Sequence, residues 1–261
     1  MKIERCLAYT SSQFMADAIL CTVDASGNPD TSDSREAFKA AGQELEKCIN
    51  ALPLIPLGGA VIAPGFNLRN RWVILVRSVH YNDDADPENE LHKTWRSILR
   101  LCAEQKIKSL AVPIIGAGPA QFPREVGIQI LLQSLVQEAP QLAPNLKLIR
   151  ICLPSLDYEF EFALAMQLSD PTDQRPQTVE AAVEYLMRSM SKSALQELAA
   201  LNGSQLIQTH FGLAAGIRND VLRQNPALLR ATGCGHRDEA ASEIVKALWS
   251  KLQCQSETVV S

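Results

Sequence analysis

Over its first 168 positions the chain alternates short apolar runs with longer amphipathic stretches, and after position 177 the short runs stop. This change of period constrains the fold more than any other feature, because strands bury side chains with a two-residue repeat and helices with one of 3.6. Residues 3–9, 18–23, 60–63, 72–76, 110–115 and 146–153 read as strands, punctuated by Pro, Gly, Asn or Asp. Between them, residues 34–52 read as one helix, with Ser34 as its N-cap and Phe38, Ala41, Leu45, Cys48 and Ile49 on one face. Residues 88–105, 124–137 and 156–167 repeat the pattern. Strands alternating with helices predict an α/β domain, a three-layer α/β/α sandwich around a largely parallel sheet.

The segment 169–177, SDPTDQRPQ, carries two prolines among polar residues and reads as an extended linker. Residues 178–191, 193–201, 204–223, 225–231 and 237–252 then all read as helix. The expected organisation is therefore an α/β domain over 1–168, an all-α domain over 178–253 and a loose tail over 254–261.

Composition narrows the function classes. Lys plus Arg is 25 against 29 for Asp plus Glu, a net charge of −4 with no long run of either sign. Such a chain has no general electrostatic grip on duplex nucleic acid or on an anionic membrane. The uncharged stretches 51–66 and 109–123 are broken by Pro and Gly and fall short of the ~20 residues of a spanning helix. MKIERCLAY places charges where a secretory leader has its apolar centre, which predicts a cytoplasmic protein. Seven cysteines without a C-x-x-C pair fit scattered thiols. They do not suit a disulfide framework or a zinc site. Neither a metal nor a cofactor is implied.

Ligands of open α/β sheets bind beyond the carboxyl ends of the strands, where loops feed helix N-termini. Two loops stand out there. In VPIIGAGPAQFPREVG, Gly116, Ala117 and Gly118 follow a strand and Pro123 suits the first turn of a helix, so backbone donors could cradle a phosphate. The same glycines also fit a tight strand-to-helix turn kept for packing. In CTVDASGNPDTSDSRE, Asp24 ends a strand, where a carboxylate could accept from ribose hydroxyls or orient a water. Alternatively Asp24, Asp30 and Asp33 simply cap turns and the next helix.

The blocks ADAILCTVD, AFKAAGQELEKC, GGAVIAPGFNL, RWVILV, IKSLAVPIIGAGPAQFP and IRICLPSLDYEFEFAL resemble, in order and spacing, the segments of a macro domain, over about the first 165 residues. That family binds ADP-ribose, and some members hydrolyse ADP-ribosyl derivatives. The resemblance implies ligand contacts at Gly27, Ser34, Gly116, Ala117, Gly118 and Phe122. Its residue pattern is only partly kept. Ala8 stands where the family has an adenine-reading Asp, and Cys21-Thr22-Val23-Asp24 replaces Asn-Ala-Ala-Asn. The first glycine-rich loop retains Gly27 alone, in SGNPDTSDS. The second, Gly116-Ala117-Gly118-Pro119-Ala120-Gln121-Phe122-Pro123, keeps a glycine, an aromatic and a proline, while Pro119 removes one N–H. At ~1.5–3 kcal/mol per hydrogen bond to a charged group, three losses weaken ADP-ribose binding by roughly three to six orders of magnitude.

In the helical half, HFGLAAGIRNDVL and GCGHRDEAASEIVKALW resemble a small bacterial helical domain family of unknown function. His210 and Arg218, eight positions apart on one expected helix, either bind an anion or join a network that knits helices. The resulting expectation is a divergent macro-type module that takes a nucleotide-like ligand, ADP-ribose or a relative, weakly or with altered specificity. A helical protein-interaction domain is coupled to it. A hydrolase with Asp24 as its base beside the Gly116–Gly118 loop is an alternative, and a ligand-free scaffold is another.

Overall fold

Aliphatic and β-branched residues fill six strands, β1 (Lys2–Leu7), β2 (Ala18–Val23), β3 (Ala60–Pro64), β4 (Trp72–Arg77), β5 (Ser109–Pro113) and β6 (Leu148–Leu153). They come from a computed structural model that describes residues 1–7, 10–52, 54–155, 158–159, 161–163, 166, 175–206, 213–223 and 225–258. The strands form one sheet in the order β1-β6-β5-β2-β4-β3. Only the β3–β4 pair is antiparallel, so the expected parallel core is present, with one reversed edge. Every residue of β2 is buried, as befits a strand covered on both faces.

One covering layer is α1 (Ser32–Ala41) and α2 (Gln43–Asn50), whose Phe38, Ala41, Leu45 and Ile49 pack on Ile19, Cys21 and Val23 of β2. A single helix was expected over 34–52. Gly42 divides it, with a φ of 86° that ends α1 and starts α2. Further on, α3 (Pro87–Glu104) and α4 (Arg124–Gln133) bury Leu91, Trp95, Ile98, Ile128 and Leu131. The helix expected over 124–137 loosens into a π turn, Ser134–Glu138, before the short α5 (Ala139–Leu142).

β2 and β5 are paired only at Ala18–Leu110 and Ile19–Ala111. Beyond that point the 3-10 turn Ser11–Gln13 takes the space, with the Ser11 hydroxyl 3.5 Å from the Leu20 carbonyl. The sheet thus opens at the carboxyl ends of its central strands, the place where a ligand crevice is expected.

The chain divides into two compact units, Met1–Pro154 and Ser155–Ser261. The division precedes the expected linker because Glu159, fully buried, accepts the N–H of Ser191 and so joins its segment to the helices that follow. Most of the linker, residues 169–174, lies outside the described residues. The second unit contains α6 (Val179–Ser189), α7 (Lys192–Ala200), α8 (Leu213–Gly216) with a π turn at Ile217–Val221, α9 (Pro226–Ala231) and α10 (Arg237–Thr258). Thr178, Ser191 and Asn225 cap α6, α7 and α9, accepting from the N–H of Ala181, Ala194 and Leu228. Its core gathers Leu186, Leu198, Leu213, Ile217, Leu228, Ile244 and Leu248. The last helix continues to Thr258, past the expected start of a loose tail at Cys254; its final turn is polar but contains no helix breaker. Among the described residues no helix is long and apolar enough to cross a membrane.

Candidate functional site

β2 and β5 are neighbours, so the loops that leave their carboxyl ends lie side by side. The loop after β2 closes on itself. The Asp24 carboxylate accepts from the N–H of Ser26 at 2.8 Å, the N–H of Asn28 at 2.9 Å and the Asn28 side-chain amide at 2.9 Å. The Asn28 amide and these backbone donors hold the Asp24 carboxyl below its ordinary range, against a smaller effect of burial. A base whose two oxygens are both occupied and whose pKa is lowered is poorly suited to take a proton. Asp24 thus caps a turn, one of the two readings open for it.

Gly27 sits within that turn, buried, with a φ of 88°, and a Cβ there would lie 2.4 Å from Ile49 Cγ2. Its glycine identity follows from this packing on α2 and from the positive φ. Between the turn and the end of α2 lies a pocket of about 140 Å³ lined in part by Ser26, Gly27, Ile49 and Asn50. This is well below the ~300–1,000 Å³ of sites that engulf a drug-sized ligand.

Ser34 was expected both as an N-cap and as a ligand contact. The cap is Thr31, whose hydroxyl accepts the Ser34 N–H at 3.2 Å. The Ser34 hydroxyl is fully buried, accepts the Thr22 N–H at 2.8 Å and lies 3.2 Å from the Thr22 hydroxyl. It joins β2 to α1. Its neighbour Asp33 has a partner far away in the chain. The Asp33 carboxylate is 7% exposed and receives the N–H of Ser11 at 2.8 Å and its hydroxyl at 3.1 Å. Burial raises the Asp33 carboxyl above its ordinary range, more than the two bonds from Ser11 lower it. The sequence alone offers Asp33 only as a cap for a turn or for the helix that follows.

The second loop has a different character. Gly116 and Gly118 take φ values of 94° and 69°. Among the described residues their N–H groups meet no backbone acceptor. A Cβ at Gly118 would meet nothing within 4 Å, so this part of the loop faces open space. Ala117 is half-buried and donates its N–H to the Ile114 carbonyl at 3.3 Å. Phe122 is buried, its ring 5.1 Å from Tyr81 in an edge-on contact and closely apposed to Gly116. The ring therefore props the loop from beneath, between Tyr81 and Gly116. Tyr81 also donates its N–H to Ala120 at 2.9 Å, and the Asn82 amide donates to Gln121 at 2.7 Å. Because β4 and β5 flank β2, these bonds join their two loops across the end of β2.

In the helical unit, Arg218 pairs with Asp238 at 2.7 Å, and the Asp238 N–H donates to His236 Nδ1 at 3.3 Å. This ties the π turn to the start of α10, the knitting role among the two that were open for Arg218. Ala8, His210 and Phe211 lie outside the described residues. Among the described residues no group of three or more His, Cys, Asp or Glu converges on a metal site.

Comparison with known proteins agrees with this geometry. Residues 34–131 match the family model "Macro domain", and residues 175–252 match a "Domain of unknown function (DUF6794)". Histone macroH2A1.1 of Capsaspora owczarzaki is 36% identical over 76 residues, 29% of this chain and 21% of that protein. The chain spans 21%, 25%, 58% and 60% of the length of four curated relatives that it matches. Among solved structures, the Oceanobacillus iheyensis macrodomain with ADP superposes with a TM-score of 0.58 at 22% identity, over 64% of this chain and 90% of the other. The Trypanosoma brucei macrodomain in complex with ADP-ribose gives 0.56 at 17% identity, over 64% and 68%. These likenesses show the fold.

Proposed function

We propose, from the match of residues 34–131 to the macro domain model and of residues 175–252 to DUF6794, that the α/β unit binds a nucleotide-like ligand, ADP-ribose or a relative, weakly or with altered specificity. The helical domain recruits a protein partner. One observation carries the ligand reading: the β5–α4 loop holds Gly116 and Gly118 at positive φ, with N–H groups that meet no backbone acceptor, beside the opening between β5 and β2. Such donors suit a phosphate oxygen. Two similar macrodomains have been solved with ADP and with ADP-ribose.

The altered specificity rests on the other loop. There Asp24 and Asp30 bring carboxylates to the end of β2, Asp33 is buried just behind, and the Asp24 turn is already closed by its own donors. Negative charge next to a diphosphate weakens binding, so a ligand with less charge at that end is favoured over ADP-ribose. The hydrolase reading has no comparable support, because both Asp24 oxygens are engaged.

A thermal-shift screen of the full chain with adenosine, AMP, ADP and ADP-ribose tests the ligand, since a ligand at about 100 times its Kd stabilises the fold by about 2.7 kcal/mol. Stabilisation by a less charged nucleotide above that by ADP-ribose is expected. Micromolar ADP-ribose as the tightest ligand in calorimetry would refute the altered specificity, and silence from the whole panel would refute the nucleotide site. Affinity capture with the full chain, compared with a chain ending before Pro176, tests the partner. Capture common to both removes the helical domain's role.

A further inference from the structure

Cys6 on β1 and Cys152 on β6 are register partners in a parallel pair. Register partners point to the same face of a sheet, and neighbouring strands lie about 4.7–4.9 Å apart. That spacing falls inside the ~4.4–6.8 Å between Cα atoms that a disulfide spans. Both residues are thiols in the structure. We propose that Cys6 and Cys152 form a redox-responsive pair that closes into a disulfide when the protein meets a hydroperoxide.

Three observations make this pair special among the seven cysteines. First, β1 is an edge strand with β6 as its single neighbour, so it has room to adjust as the two sulfurs approach. Second, Cys6 is half-buried, which gives an oxidant access, while Cys152 is buried behind it. Third, the other cysteine placed in a strand, Cys21, has Leu75 opposite it. The pair thus combines an accessible thiol with an inner one at bonding register.

The chemistry balances with one peroxide. The Cys6 sulfur, as thiolate, attacks the terminal peroxide oxygen; the O–O bond breaks and the alkoxide leaves as alcohol, giving a sulfenic acid. The Cys152 sulfur then loses its proton and attacks the Cys6 sulfur, the S–S bond forms and the hydroxyl departs as water. Two thiols and one hydroperoxide become a disulfide, an alcohol and a water. Burial, reinforced by the charge of Asp33, pushes the Cys152 thiol well above its ordinary range. The second step, which needs the Cys152 thiolate, therefore quickens as pH rises.

The bond fastens the edge strand that leads towards Ser11, and through Ser11 towards Asp33 and α1. The inference stands apart from any nucleotide reading, so either can fail alone. The test uses the folded full chain with Cys254→Ser, to exclude links through the one exposed thiol. After titration with hydrogen peroxide, thiols are counted and non-reduced digests are mapped. Loss of two thiols with a Cys6–Cys152 linked peptide is expected, reversed by dithiothreitol. Cys6→Ser abolishes the loss, and Cys152→Ser leaves Cys6 as a sulfenic acid trapped by a 1,3-dione. If Cys152→Ser does not fold, Cys6→Ser and the peptide map decide alone. A folded protein that never yields the linked peptide, or yields it only after unfolding in urea, overturns the proposal.

Discussion

Asp33 and Ser11 lie 22 positions apart in the chain, and the Asp33 carboxylate accepts the Ser11 N–H at 2.8 Å. The bond fixes the segment after β1 against the first turn of α1, just where the sheet opens. It is made by a group with little access to water, and burial raises its pKa. An acid whose folded pKa is raised adds stability that is complete below the ordinary carboxyl range and is lost as pH climbs through the folded value. Asp33→Asn keeps an acceptor for Ser11 without the charge, so the variant gains stability relative to wild type as pH rises. Urea midpoints over roughly pH 4 to 8 check this; parallel profiles would show that Asp33 ionises freely. Asp33→Ala leaves the Ser11 N–H without its acceptor and costs about 1–3 kcal/mol.

Asp24 carries the opposite sign. Its carboxyl is held below the ordinary range by Asn28 and neighbouring N–H groups, so its stabilisation is present above that range and fades as pH falls through the lower folded value. The group is exposed, and solvent limits the effect to at most about 1 kcal/mol. Asp24→Ala is expected to loosen the turn by that amount. It should not weaken any nucleotide found in the thermal screen, and by removing a carboxylate it should tighten the more highly charged ones. A large drop in affinity or in any hydrolytic turnover would restore a direct role for Asp24.

These two carboxylates also show what was legible in the sequence. Asp24 acts within its own loop, four residues from Asn28, and turn capping was one of the two readings open for it. Asp33 acts across the fold, and no local pattern reports a partner 22 positions away. The strands were readable because runs such as AILCTV and WVILVR have no polar interruption suited to a helix face. The break at Gly42 was hidden because Phe38, Ala41, Leu45 and Ile49 stay in helical register across it and enter the same core. Phe122 carries a related ambiguity: an aromatic beside a glycine loop looks the same in sequence whether its ring meets a ligand or a neighbour such as Tyr81.

The hydroxyl cluster of Thr22, Thr31 and Ser34 predicts coupled losses. Thr31→Ala removes the cap of α1 and costs about 1 kcal/mol. Ser34→Ala removes the acceptor for the buried Thr22 N–H and costs about 1–3 kcal/mol. The Thr31 and Ser34 hydroxyls are themselves 2.9 Å apart, so the double variant should lose less than the sum, with a coupling of at least about 0.5 kcal/mol. A denaturation cycle on the four proteins checks it, and strict additivity would mean that the shared bond contributes nothing.

The glycines separate packing from ligand recognition. Gly27→Ala forces a Cβ to within 2.4 Å of Ile49 at a φ of 88°, and Gly116→Ala forces one to within 2.9 Å of the Phe122 ring at a φ of 94°. Both should be destabilised by about 1–3 kcal/mol, from clash and backbone strain together. At Gly118 the φ of 69° is unfavourable for alanine, but the added methyl meets nothing within 4 Å. Gly118→Ala should therefore cost only about 1 kcal/mol of stability. The methyl projects from the open part of the loop, next to the N–H groups offered to a phosphate. Loss of ligand affinity beyond the loss of stability is expected for this variant alone, read by calorimetry with the best nucleotide from the screen. If Gly118→Ala binds that nucleotide as tightly as wild type does, the β5–α4 loop is not where the phosphate sits.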